Sequence, residues 1–206
     1  MPNPPDPKDL VRRGYDVISY AYRGDSLPRD RNYYYWLAEL TPLLRPGDAV
    51  LDLGCGCGVP VAQELAQQFV VTGVDISPVQ IERARRLVPQ GTFICADMAG
   101  VDFPPQSFAA IVSFYALIHL PVAEHRPLLA RCFDWLQPGG LLMAIVGHSA
   151  WTGTEDDWRG APMYWSHADE ATYLVWLAEI GFVVEWARFI PEGDGGHTLV
   201  LARRPE

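Results

Sequence analysis

Val50-Leu-Asp-Leu-Gly54-Cys-Gly56-Cys-Gly58 decides the fold. Ala49 to Leu53 reads as a short buried strand, entered through the turn Arg45-Pro-Gly-Asp48. Three glycines then fall at alternate positions, before a helix expected from Val59 to about Gln68. A glycine turn between strand and helix lets a ligand approach bare backbone, and the helix start favours negative charge there. The dinucleotide pattern Gly-x-Gly-x-x-Gly fails, because its sixth position from Gly54 is Val59, which argues against a nicotinamide cofactor.

Outward from this turn, strands and helices alternate. Phe69–Val74 is a second strand. Ser77-Pro-Val-Gln80 opens a helix with a serine cap, proline at the first position and glutamine three residues after the cap. Thr92–Cys95, Phe108–Ser113 and Gly140–Val146 read as further strands, with a helix over Val122–Leu136 and only an irregular crossover near residues 100–107. A helix opened by Ser166-His-Ala-Asp169 and a closing hairpin, Phe182–Ile190 and His197–Ala202, follow. This alternation calls for a parallel sheet covered on both faces. Towards the N-terminus, residues 1–7 read as a frayed tail. Residues 8–23 and a stretch from Asp30 read as helices, the second disturbed by Pro42, so residues 1–44 form a helical cap. Residues 148–166 follow no period but hold Trp151, Trp158, Tyr164 and Trp165, and are expected to form an aromatic loop or lid.

The composition fits one globular domain of 206 residues: 49% are hydrophobic and 20% charged. The net charge of −9 argues against a protein built to grip nucleic-acid phosphates. The N-terminus lacks the apolar stretch of a signal peptide, and the most apolar run, Phe108–Ala123, is interrupted and too short to span a bilayer, so a cytoplasmic chain is expected. Cys55-Gly-Cys57 has no second ligand pair behind it, so no metal is expected.

The glycine turn resembles the first motif of the class I S-adenosylmethionine-dependent methyltransferases. Three further segments fall in register: Gly73-Val-Asp75-Ile76-Ser, Cys95-Ala-Asp97-Met98 and Leu136-Gln-Pro-Gly-Gly-Leu-Leu142. The resemblance implies a Rossmann-like, seven-stranded, mostly parallel sheet in the order 3-2-1-4-5-7-6, with strand 7 antiparallel and helices on both faces. It implies S-adenosylmethionine as cofactor. Gly54, Cys55, Gly56 and Gly58 would form its cradle, and Asp52 would lie near its methionine end. Asp75 would meet the ribose and Asp97 the adenine amino group, with Ile76 and Met98 beside them in the cofactor site. Ser113, Tyr15 and Tyr20 complete the cofactor set. Each assignment has a plainer counterpart: a structural carboxylate at Asp52, a helix-terminal charge at Asp75, a loop acid at Asp97, packing tyrosines on the first helix.

Ligands bind beyond the carboxyl ends of parallel strands, so the acceptor site is expected where the fourth strand runs into Tyr115 and His119. Tyr22, Tyr115, His119, Trp158, Met163, Tyr164 and Trp165 are the candidate acceptor-binding residues, and His119 the candidate general base, its counterpart reading being a structural histidine. Members of this family that methylate adenine or glutamine nitrogen carry Asn/Asp-Pro-Pro-Tyr/Phe here. This chain has Ser113-Phe-Tyr115-Ala, which favours a small-molecule acceptor over RNA or protein, with a noncatalytic Rossmann-type binding protein as the remaining reading.

Overall fold

The computed structural model describes residues 6–29 and 31–206. Of the tail expected over residues 1–7, residues 1–5 lie outside the described residues, as does the helix start at Asp30, while Asp6 caps α1 and Pro7 begins it. Helices α1 (Pro7–Tyr22) and α2 (Asn32–Leu40) come first, and Pro42 sits in a single tight 3₁₀ turn that ends the second. The Rossmann unit follows as β1 (Ala49–Leu53), α3 (Val61–Leu65), β2 (Val70–Asp75), α4 (Pro78–Leu87), β3 (Thr92–Cys95) and β4 (Phe108–Ser113). Then come α5 (His125–Trp135), β5 (Leu136–Gly147), β6 (Trp151–Trp158), β7 (Ala161–His167), α6 (Glu170–Ile180), β8 (Val183–Glu192) and β9 (Gly195–Arg203).

Seven strands form one sheet in the order β3-β2-β1-β4-β5-β9-β8. The inner pairs are parallel, and β9 runs antiparallel to both β5 and β8. This is the expected order once β8 and β9 are counted as the sixth and seventh strands of the sheet. The two-residue period assigns the faces. Val50, Val112, Met143 and Leu199 pack under α2, α3 and α4, while Leu51, Ile111, Leu142 and Val200 pack under α5 and α6.

Several elements differ from the sequence reading: α5 begins at His125 rather than Val122, β5 begins at Leu136 rather than Gly140, and two differences bear on the site. Helix α3 spans only Val61–Leu65, less than the expected Val59–Gln68. Residues 148–166 are not a loop: β6 and β7 pair antiparallel as a two-stranded ribbon. Its two-residue turn, Arg159-Gly160, has both φ angles positive (56° and 99°), the twist that suits a hairpin. The ribbon packs on α1, where Val11 and Ile18 meet Ala161 and Met163. Gly14 permits this close approach, since a Cβ there would stand 2.9 Å from both the Met163 Cε and the Pro162 carbonyl.

Candidate active site

The glycine turn is tied to β2 from both sides. Gly54 and Cys55 donate backbone N–H groups to the Val74 carbonyl at 2.8 and 3.0 Å. Gly56 N–H donates to Asp75 Oδ2 and Ser77 N–H to Asp75 Oδ1, each at 2.9 Å. Ser77 also caps α4, its Oγ accepting from Gln80 N at 3.1 Å. Gly54 lies against Ala116, whose Cβ would be only 2.0 Å from an added Cβ. At Gly56, with φ +54°, an added Cβ would meet nothing within 4 Å and would project into the cleft.

Three small connected spaces follow the carboxyl end of the sheet. One is lined by Asp52, Gly54, Cys55, Gly56, Arg23 and Gln80. The next is lined by Asp75, Ile76, Met98, Tyr15, Tyr22 and His119. The last lies between Asp97, Met98, Ile76 and Lys8. Asp52 is 2% exposed and its Oδ2 has no hydrogen-bond partner. Burial, reinforced by the charge of Asp75, pushes its pKa up to about 8. Burial also raises Asp75, to about 6, against the two backbone hydrogen bonds that favour its charge. Asp97 receives Lys8 Nζ at 2.6 Å and the Ala99 N–H at 2.9 Å.

These residues fit S-adenosylmethionine. An unpartnered buried carboxyl at one end suits an ammonium group, because an unpaired charge is costly there. Asp75 stands where β2 ends, the usual station for ribose hydroxyls. The open space at Gly56 suits a ligand that must meet backbone. Arg23, which no motif flagged, and Gln80, read in the sequence only as part of the α4 cap, join the wall at the Asp52 end.

His119 is 7% exposed, with both ring nitrogens engaged. Nδ1 lies 2.8 Å from the Tyr164 carbonyl, which can only accept, so Nδ1 carries the proton. Nε2 therefore accepts from the Tyr15 hydroxyl at 2.9 Å. Burial lowers the His119 pKa to about 4, the Tyr164 hydrogen bond opposing and the His197 charge assisting. A weakly basic, fully hydrogen-bonded imidazole does not suit the expected general base. Its geometry is that of a clamp between α1 and the ribbon.

The remaining candidates divide. Tyr15 and Tyr22 face the cleft, whereas Tyr20 is 64% exposed and its ring stacks on Arg83, 4.0 Å from the guanidinium carbon. Ser113 is turned away, its Oγ donating to the Leu53 carbonyl at 3.0 Å. Gly58 abuts Val88 and Ala84 of the α4 packing and lines none of the three spaces. Met163 is fully buried against α1, and Tyr164 offers its carbonyl to His119. The Trp165 ring packs on His119 and Trp158 at 5.6 and 5.5 Å. Of the ribbon candidates, Trp158 alone lines a cavity.

That cavity, of about 620 Å³, opens beside the cleft. Tyr22, Tyr33, Trp36, Tyr115 and Trp158 form its aromatic walls, and Arg23, Arg31, Arg159 and Glu192 supply charge. Tyr115 has φ +57°, rare for so bulky a residue, which puts the strain next to the site. Its hydroxyl donates to Glu192 Oε1, and His197 Nδ1 lies 3.0 Å from Glu192 Oε2. Burial raises the Glu192 pKa, but the hydrogen bonds from His197 and Tyr115 outweigh it and leave the group below its ordinary value. Sequence reading missed Tyr33, Trp36 and Glu192 because no motif marks them; α2 and the tip of the β8–β9 hairpin carry them in.

Residues 50–140 match the family model described as a methyltransferase domain. Residues 50–140 are thus a methyltransferase domain, in a chain with the class I S-adenosylmethionine-dependent fold. Sterol 24-C-methyltransferase of Yarrowia lipolytica is 33% identical over 150 residues, covering 68% of this chain and 37% of that protein. Aklanonic acid methyltransferase DauC of Streptomyces sp. (strain C5) is 36% identical over 102 residues, covering 46% of each. The chain thus spans less than half the length of these curated relatives. In fold it resembles the magnesium protoporphyrin IX methyltransferase of Synechocystis PCC 6803, crystallised with S-adenosylmethionine. The TM-score is 0.73 at 18% identity, covering 99% of this chain and 100% of the other. S-adenosylmethionine is the cofactor of the methyltransferase domain. No described helix is long and apolar enough to cross a membrane.

Proposed function

We propose that the protein transfers the methyl group of S-adenosylmethionine to a small-molecule acceptor held in the 620 Å³ cavity. The observation that carries this reading is the shared wall: Tyr22 and Tyr115 line both the cofactor cleft and the cavity. An acceptor there lies next to the cofactor without crossing bulk water, as in-line displacement requires. The named acceptors of the two relatives, a sterol and aklanonic acid, are small molecules. A net charge of −9 disfavours nucleic acid.

When bound, the cofactor supplies an electrophilic methyl group on a sulfonium. Asp75 accepts hydrogen bonds from the ribose hydroxyls, Asp97, Met98 and Ile76 surround the adenine, and Asp52 and Arg23 take the ammonium and carboxylate of the methionine end. Tyr15, Tyr22 and Trp158, with ring centroids 5.4 to 6.0 Å apart, close α1 and the ribbon over the site and exclude water. A hydroxyl acceptor must also lose a proton. His119 keeps its single proton on Nδ1 and positions Tyr15 rather than taking that proton.

Calorimetry with S-adenosylhomocysteine tests the cofactor site. The wild type is expected to bind, and Asp75→Ala to bind roughly 10–100-fold more weakly, as the loss of charge-assisted hydrogen bonds predicts. Equal binding by the variant overturns the ribose assignment. Methyl transfer from labelled cofactor into small-molecule pools, with none into RNA or protein, is the result expected of the whole reading.

A further inference from the structure

We propose that the acceptor is a planar, conjugated molecule bearing a carboxylate, and that Arg31 and Arg159 receive that carboxylate. The inference rests on the methyltransferase reading above and names the class of acceptor it serves.

Charge sign is the first ground. The chain as a whole carries −9, yet among the described residues the cavity wall holds three arginines against the single carboxylate of Glu192. Glu192 is already engaged by Tyr115 and His197. Arg23 also faces the Asp52 end of the cofactor cleft, and its guanidinium donates to the Tyr33 hydroxyl at 3.0 Å, so it is committed there. Arg31 and Arg159 remain. Among the described residues neither forms an ion pair with a carboxylate, although eleven other arginine and lysine pairings do occur.

Backbone conformation is the second ground. Arg159 occupies the first central position of the ribbon turn at φ +56°, where asparagine, aspartate or glycine is the easy choice. A long cation held there against backbone preference, with its guanidinium carbon 5.4 Å from the Trp158 ring centre, is presented towards the cavity that both residues line. The acidic run Glu155, Asp156 and Asp157 on the same ribbon is absent from the cavity wall, so it does not reverse the sign.

Shape is the third ground. Tyr33, Trp36, Tyr115 and Trp158 line the cavity with aromatic rings, which suit a flat conjugated body. Two guanidinium groups arriving from different elements match the two oxygens of a carboxylate, which a neutral acceptor lacks. A cationic amine meets like charge.

The test uses three naphthalene probes of nearly one shape on protein saturated with S-adenosylhomocysteine. They are 1-hydroxy-2-naphthoate, 1-naphthol and 1-naphthylmethylamine. The hydroxynaphthoate is expected to bind roughly 10–100-fold more tightly than the naphthol, with the amine weakest, and its affinity to fall with added salt. In Arg31→Gln/Arg159→Gln that ratio is expected to fall towards one, with the S-adenosylhomocysteine affinity unchanged, since neither arginine lines the cofactor cleft. Equal binding of naphthol, tighter binding of the amine, no binding of the hydroxynaphthoate at millimolar concentration, or an unchanged ratio in the variant overturns the proposal. Failure of the wild type to bind S-adenosylhomocysteine would instead defeat the underlying methyltransferase reading, and the same titrations separate the two failures.

Discussion

At Asp52, burial and the Asp75 charge hold the carboxyl protonated up to about pH 8, and Oδ2 has no partner within the protein. The folded pKa lies above the ordinary 3.8. The stability contributed by the protonated form is therefore complete below about pH 4 and is lost as the pH rises through 8. Asp52→Asn removes that dependence. The variant without ligand is expected to gain on the wild type progressively from pH 5 to pH 9, by about 2–4 °C for each kcal/mol of relieved charge burial. It is also expected to bind S-adenosylhomocysteine more weakly, by roughly 10–100-fold, because the amide cannot pair with an ammonium group. Thermal scans at both pH values with calorimetry check it; a melting difference that stays constant with pH would mean Asp52 is ionised throughout. Asp52 and Asp75 were readable in the sequence because both sit at fixed distances from a glycine turn. Their pKa values were not, since burial is a property of the packed chain.

Helix α1 and the β6–β7 ribbon depend on each other. His119 joins them, accepting from Tyr15 of α1 and donating to the Tyr164 carbonyl of β7. His119→Ala is therefore expected to raise hydrogen exchange across residues 151–167 and to lower turnover. It is not expected to remove a pH-dependent limb between pH 6 and 9, because an imidazole with a pKa of about 4 is neutral throughout that range. Loss of such a limb in the variant would restore His119 as the base. Much of this assembly escaped sequence reading for identifiable reasons. On a helix, Tyr22 lies about 20° from Tyr15 around the axis and Tyr20 about 140°, so only the first pair can share the cleft. The ribbon was hidden because Arg replaces the usual turn residue at 159 and because most of β6 is exposed on both faces, which erases the two-residue hydrophobic period. By contrast, the Ser77 cap on α4 and the irregular crossover before β4 were legible, since local chemistry sets each of them.

Across the whole molecule, the candidate site draws on Tyr15, Asp52, Asp75, Asp97, Tyr115 and Glu192, which span nearly the full chain. The sheet order followed from the alternation of strands and helices, and it places the Rossmann contributions at the carboxyl ends of the parallel strands. The sequence could not say that α2 and the β8–β9 tip close the far side, because that contact joins residues more than a hundred positions apart, as in Arg188 with Glu39. A ligand touching so many elements must stabilise them together. At a hundred times its Kd, S-adenosylhomocysteine adds about 2.7 kcal/mol to folding, which for a chain of this size raises Tm by roughly 5–11 °C. Asp75→Ala, measured at the same ligand concentration, is expected to lose most of that rise. Hydrogen exchange decides where the stabilisation goes. Protection is expected at the glycine turn, along α1 from Tyr15 to Tyr22, and in the ribbon through His119. Protection confined to the glycine turn, with α1 exchanging as before, would show that the N-terminal helices pack beside the cofactor without closing over it.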